Sequence, residues 1–299
     1  MMSFLPISIL AYTLNGGAIL IDKILLKKSL PNPITYTFYV NALQLLVLLL
    51  IPFGFSPRWG EATTLAVFSG IVIFLALYAF FRSLKENEAS TVGPLVGMFN
   101  PLFALILGGI FLGQFLTKTQ YLAFFILLVG ALILTFNLWF KNLQLGKKLV
   151  WMMAAGFLFG LSYVFLREAF LGSTFLNGLI ISRATAGFLA LALLVLPKIR
   201  TEIFSNHQAG NNITSHRTLI LLGSGQVMGA ASGLLITFAI SLANPALVNS
   251  LFGIQYFAIL VVALLLAKNH SHLLDETLTK GVITQKITGA SIISFGPLR

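Results

Sequence analysis

The chain has 299 residues, of which 58% are hydrophobic and only 9% charged, and its mean hydropathy is +0.95. Soluble domains carry about 25% charged residues, and 19 Lys/Arg with 8 Asp/Glu cannot supply the charged skin that a soluble chain of this length needs. A soluble globular enzyme and a disordered chain are thereby excluded, and a polytopic membrane protein is expected. The net charge of +11 lies in short basic groups between apolar runs, without a basic face. It reads as loop charge that orients a membrane protein, not as a nucleic-acid surface. Without cysteine there is no disulfide, thiolate site or Cys-ligated zinc. The first apolar run lacks a basic leader and exceeds a signal h-region, so it reads as a retained first helix.

About 20 apolar helical residues cross a hydrocarbon core of about 30 Å. Charge-free runs predict a first span over Met1–Ile21, extending to about Leu26, and a second over about Pro33–Phe53. The third is Ala62–Phe81, the fourth lies within Ala89–Thr117, the fifth within Thr119–Phe140, and the sixth is Leu149–Leu166. The seventh, about Phe175–Pro197, is interrupted only by Arg183. Thr218–Ala267 carries no charge over 50 residues, about 75 Å of helix at 1.5 Å per residue, so it must fold back once. Asn244-Pro245 is the expected turn between the eighth and ninth spans. A tenth, about Gly281–Leu298, is interrupted by Lys286. The expected fold is an all-α integral membrane protein of ten transmembrane helices, with nine as the alternative. The polar stretches Lys198–Arg217 and Lys268–Lys280 read as solvated loops and hold all four histidines. His270-x-His272 is too sparse a pair for a metal site, so no metal is expected.

The halves echo each other. Asn32 and Pro52 match Asn177 and Pro197 at an offset of 145; Phe80, Ser83 and Leu84 match Phe238, Ser241 and Leu242 at 158. Leu116-Thr117-Lys118 recurs as Leu278-Thr279-Lys280, and Gly130-Ala131 as Gly289-Ala290. Five helices repeated once give two halves of opposite orientation, here residues 1–145 and 146–299. Inverted repeats place a substrate site at their interface near the bilayer midplane.

Ala89-Ser90-Thr91-Val92-Gly93-Pro94, then Asn100-Pro101, Gly113-Gln114, Lys118-Thr119-Gln120 and Gly130-Ala131-Leu132-Ile133-Leu134 resemble the signature of the EamA-type drug/metabolite transporter superfamily. The second half repeats it more loosely, from Asn244-Pro245 to Gly289. The resemblance implies ten helices in two five-helix repeats and a transporter without a cofactor, not an enzyme. It is almost silent on substrate, since members are similar to exporters of amino acids, drugs, nucleotide precursors and sugars. This chain departs from the pattern at Gln114, where an acid is common, at Ile259, where the fourth span has Pro101, and in its short last helix.

Polar residues inside the spans are the candidate site. Asn100, Asn249, Gln226 and Gln255 are amides in apolar runs, where each must face another helix or water. Asn100 and Asn249, on the equivalent fourth and ninth spans, are expected to face a shared central cavity. Tyr78, Tyr163, Tyr256 and Phe99, together with Tyr39, are candidate aromatic walls. Asp22 is a candidate for proton coupling. Lys23, Arg82 and Arg167-Glu168 stand near span ends and are expected to snorkel to the interface. The stripes Gly93-x3-Gly97, Gly156-x3-Gly160 and Gly225, Gly229, Gly233 read as close packing or as hinges. Arg183 lies about 4.5 Å from the centre of its span, with no acid at that depth. Two readings stay open for it. It donates to carbonyls freed by Pro94 or Pro101, or to Asn and Gln side chains; or its bidentate fork attracts an anionic group of the substrate.

The expected function is secondary transport, as an exporter, of a small metabolite or drug-like solute by alternating access. No Gly-x4-Gly-Lys-Ser/Thr loop exists for ATP. A flippase for a lipid-linked substrate is the alternative. An intramembrane enzyme is disfavoured by acids scattered at helix ends and histidines confined to loops. The partners expected are a small-molecule substrate and the lipid bilayer, with no nucleic acid, for a monomer or homodimer in the plasma membrane. Loops after odd-numbered spans carry eleven Lys/Arg and the others only Arg58 and Lys118, so the positive-inside rule places both termini outside. The family resemblance implies the reverse.

Overall fold

Three of the described helices open on a capping side chain. In the computed structural model, which describes residues 4–28, 32–130 apart from 88, 114, 123 and 127, 146–205 and 216–255, the order is α1 (Phe4–Lys28), α2 (Pro33–Leu43), α3 (Glu61–Glu86), α4 (Ala89–Leu112) and α5 (Lys118–Gly130). There follow α6 (Gly146–Leu171), α7 (Phe175–Ala192), α8 (Pro197–Ser205), α9 (His216–Leu242) and α10 (Pro245–Ser250). The described residues contain no strand. Asn32 Oδ1 accepts from the Ile34 N–H at 3.0 Å to open α2, the Thr174 hydroxyl accepts from the Asn177 N–H to open α7, and Asn244 Oδ1 accepts from the Ala246 N–H at 2.8 Å to open α10. Pro33 and Pro245 occupy the first helical turn, where a missing N–H does no harm. α2 tightens into a 3-10 helix over Gln44–Phe53 and stops at Gly54, whose φ of 110° suits glycine.

Seven helices among the described residues are long and apolar enough to cross a membrane: α1, α2 with its 3-10 extension, α3, α4, α6, α7 and α9. α9 ends at Leu242 and α10 begins at Pro245, so the long charge-free run breaks where Asn244-Pro245 stands. Most of the ninth span and the whole tenth fall outside the described residues. Leu46, Leu49, Phe53, Ile110, Phe115 and Val227 are among many large apolar side chains turned outward. A soluble protein rarely exposes contiguous apolar surface on that scale. The chain is a multi-pass membrane protein.

Two expectations about span ends change. α3 runs on past Phe81 to Glu86, with Lys85 and Glu86 facing outward, and α6 past Leu166 to Leu171, with Arg167 turned to the carbonyls of Ile240 and Ser241. The segment expected to be a solvated loop from Lys198 begins as α8. Pro197 starts that helix, and Ile203 is buried against Phe38 and Ala190, while Lys198 and Arg200 face outward.

Two of the main helix seams run antiparallel. Ser69 meets Ser162 and Tyr78 meets Trp151, so α3 and α6 point in opposite directions. Gly17 lies against Met228 and Gly225 against Ile21, so α1 and α9 do likewise. α4 and α6 instead run parallel and very close: a Cβ at Gly156 would lie 2.5 Å from Phe99 Cβ, and one at Gly160 would lie 3.0 Å from the backbone of Asn100 and Ala104. This stripe serves backbone approach. Around these seams lies one core that includes Tyr12, Leu25, Tyr36, Phe81, Leu95 and Leu166.

Candidate functional site

Polar side chains that the helices carry inward collect at three places. At the first, α10 delivers Asn249 to the middle of α4. Its Nδ2 donates to Asn100 Oδ1 at 3.1 Å, and its Oδ1 accepts from the Tyr12 hydroxyl of α1 at 3.1 Å. Both asparagines are fully buried in this conformation. Asn15 Nδ2 of α1 donates to Gln255 Oε1 at 2.7 Å. Asn100 Nδ2 and Gln255 Nε2 are buried without an acceptor. Phe99 is buried beside this cluster, against Gly156 and Phe103.

The second place lies near the α1–α2 turn. Tyr36 of α2 donates its hydroxyl to Asp22 Oδ1 of α1 at 2.5 Å, and Gln226 of α9 reaches the same hydroxyl. Asp22 and Gln226 are thus joined through a tyrosine. Asp22 stands near the end of α1 and Tyr36 near the start of α2; the sequence did not single out Tyr36.

The third place is Arg183 on α7. With α7 and its 3-10 extension spanning Phe175–Val195, Arg183 stands two residues from the middle, about 3 Å along the axis. Its Nη2 donates to the Thr237 hydroxyl of α9 at 3.0 Å, and Thr237 in turn donates to the Gly233 carbonyl at 2.6 Å. A Cβ at Gly233 would come within 3.9 Å of the same Nη2. Tyr163 of α6, stacked on Phe159, lies close enough to interact electrostatically with the guanidinium. Among the described residues no carboxylate forms an ion pair with Arg183. The serines at the neighbouring level, Ser69, Ser162 and Ser182, satisfy one another at 3.0 and 3.2 Å.

One helix connects the second and third places. Gln226, Gly233 and Thr237 are spaced by seven and four residues, which puts them on one face of α9. The distance along that face from Gln226 to Thr237 is about 16 Å. The structure therefore joins Asn100 with Asn249, Tyr163 with Arg183, and Gln226 with Asp22. Tyr78 stands apart: it takes a 3.5 Å hydrogen bond from Arg82 and packs edge-on against Trp151, with the Arg82 guanidinium 4.7 Å above that indole ring. Tyr256 lies outside the described residues. Thr237 and Tyr12 carried no sequence signal, since a single hydroxyl in an apolar helix is common.

Two charges expected to snorkel are turned inward instead. Lys23 is buried and donates to the carbonyls of Leu84 and Asn87, at 2.8 and 2.7 Å, at the end of α3. Arg167 Nη1 donates to the carbonyls of Ile240, at 3.0 Å, and Ser241, at the end of α9. A helix end leaves its last four carbonyls unpaired, and inside a membrane they draw a cation more strongly than distant headgroup water does.

Residues 4–136 match the profile of the EamA-like transporter family. The resemblance carried by residues 89–134 thus holds over the first half of the chain. A solved crystal structure, titled only as that of a protein, is 16% identical and superposes with a TM-score of 0.58 over 95% of this chain and 98% of its own. That likeness shows a shared fold. No curated protein matches the chain. Over the matched residues the chain is similar to membrane transporters of that family.

Proposed function

We propose that this EamA-like transporter is a secondary exporter of the plasma membrane, moving a small metabolite or drug-like solute with an anionic group by alternating access. Arg183 is the anion's partner. The observation that carries this reading is the contrast between two arginines of one chain. Arg167 spends its guanidinium on two backbone carbonyls, whereas Arg183 has one hydroxyl, that of Thr237, and no carboxylate among the described residues. Inserting an arginine near a bilayer centre costs at least ~2.5–3.5 kcal/mol. A guanidinium has five donors, so one hydroxyl leaves most of the fork available to a carboxylate or phosphate. Tyr163 stands beside that position, Gln226 lies farther along the same face of α9, and the Asn100–Asn249 bond holds α4 and α10 together. Asp22 supplies the proton-coupling group.

The test is thermal-shift screening of the purified full chain against anionic, cationic and neutral solutes, followed by binding to Arg183→Lys and Arg183→Gln. Anionic solutes should stabilise the wild type. Arg183→Lys, which keeps the charge and loses the fork, should weaken their binding about tenfold, a difference of 1.4 kcal/mol. Unchanged affinity in both variants, with only the melting temperature lowered, would leave Arg183 a structural residue.

A further inference from the structure

Lys23 and Arg167 do the same work at matching places in the two halves. They are 144 residues apart, and Gly16 and Gly160 on the same helices share that offset. Lys23 of α1 closes the last turn of α3, and Arg167 of α6 closes the last turn of α9. The receiving segments are the ones whose Ser83-Leu84 and Ser241-Leu242 match in sequence. A cation at a helix C-terminus satisfies orphan carbonyls and opposes the negative end of the helix dipole. If either cation moved out to water, the carbonyls it caps would be left unpaired in apolar surroundings.

The two caps lie at opposite ends of the bundle. α6 runs antiparallel to α3: Ser162 lies beside Ser69, and a Cβ at Gly172 would come within 3.0 Å of Ala62. Arg167 therefore stands level with the first turns of α3, while Lys23 closes its last. The separation is about 19 residues of helix, near 28 Å, or roughly the thickness of a hydrocarbon core.

We propose that Lys23 and Arg167 are paired positioning residues of the transport cycle. Each latches one end of the bundle shut by tying the first helix of its half to the third, and their balance sets which end is open. The proposal rests on the alternating-access reading above, in which inverted halves exchange roles. It does not depend on Arg183 or on the substrate.

The chain contains no cysteine, so single reporters are clean. Ala89→Cys, beside the Lys23 latch, and Ala239→Cys, beside the Arg167 latch, both replace buried alanines. Maleimide labelling is followed with the full chain in lipid vesicles, without substrate. Lys23→Met should label Ala89→Cys about tenfold faster and Ala239→Cys more slowly, and Arg167→Met should do the opposite. Lys23→Arg and Arg167→Lys should restore wild-type rates. Labelling that changes in the same direction at both ends, or not at all, overturns the proposal, since a cap that only stabilises the fold loosens both ends alike. Where a Met variant does not accumulate, the Gln variant at that position, which keeps an amide donor for the carbonyls, is read in the same way. Failure of that variant to fold as well assigns the cation to folding alone. Opposed labelling with intact Arg183→Lys binding would uphold the latches while removing the anion site.

Discussion

Asn100 and Asn249 share a hydrogen bond that neither can replace locally. Each sits among Val, Leu and Phe side chains, and Asn249 is further committed to Tyr12. Replacing one with Leu removes this bond from the other in a fully buried site, where an unsatisfied group costs about 1–3 kcal/mol. Asn100→Leu and Asn249→Leu should each lower stability by that amount in detergent unfolding. The double variant should lose less than the sum, with a coupling near ~0.6–1.7 kcal/mol, the range found for hydrogen bonds between transmembrane helices. Strict additivity would mean that the bond does not hold α4 to α10. In transport assays on vesicles, either single variant should be impaired, since this amide pair is proposed to lie at the site.

Glycine decides how near two helices can come, and only some glycines in this chain have that role. A Cβ at Gly70 would lie 2.6 Å from Thr185 Cβ and against the Ser182 carbonyl, so α3 could not keep its distance from α7. At Gly156 the obstacle is Phe99. Gly223, on the outward face of α9, has nothing within 4 Å. Overpacking of a close seam costs about 1–3 kcal/mol, whereas alanine is favoured over glycine by about 1 kcal/mol within a helix. Gly70→Ala and Gly156→Ala should therefore lower the melting temperature in detergent, and Gly223→Ala should hold or raise it. Equal effects at all three would show that helix propensity, not approach, governs these positions.

The proposed coupling would belong to the whole molecule, because Asp22, Tyr36 and Gln226 come from three helices and, among the described residues, α9 links them to Arg183. Asn at position 22 keeps an oxygen to accept from Tyr36 but carries no exchangeable charge. Asp22→Asn should fold and still exchange substrate across vesicles at equal pH. Accumulation driven by a proton gradient should be lost. Retained gradient-driven accumulation would exclude Asp22 as the coupling group. Abolished exchange would instead place Asp22 in substrate binding.

The repeated crossing of the membrane, the places of the seven described spans and the break at Asn244-Pro245 were legible in the residues, because a bilayer imposes a length and an apolar composition on every crossing. Arg183 was legible as an isolated intramembrane charge for the same reason. The partners were not. That Lys23 and Arg167 turn inward to helix ends, that Asp22 meets Tyr36, and that Arg183 rests on Thr237 follow from which helices lie side by side. Hydrogen bonds between residues 61, 73 or 54 positions apart leave no periodic trace in either segment. The hydrophobic pattern sets that a helix crosses; the directional needs of buried donors and carbonyls, met only once the bundle has assembled, decide what its polar residues do there.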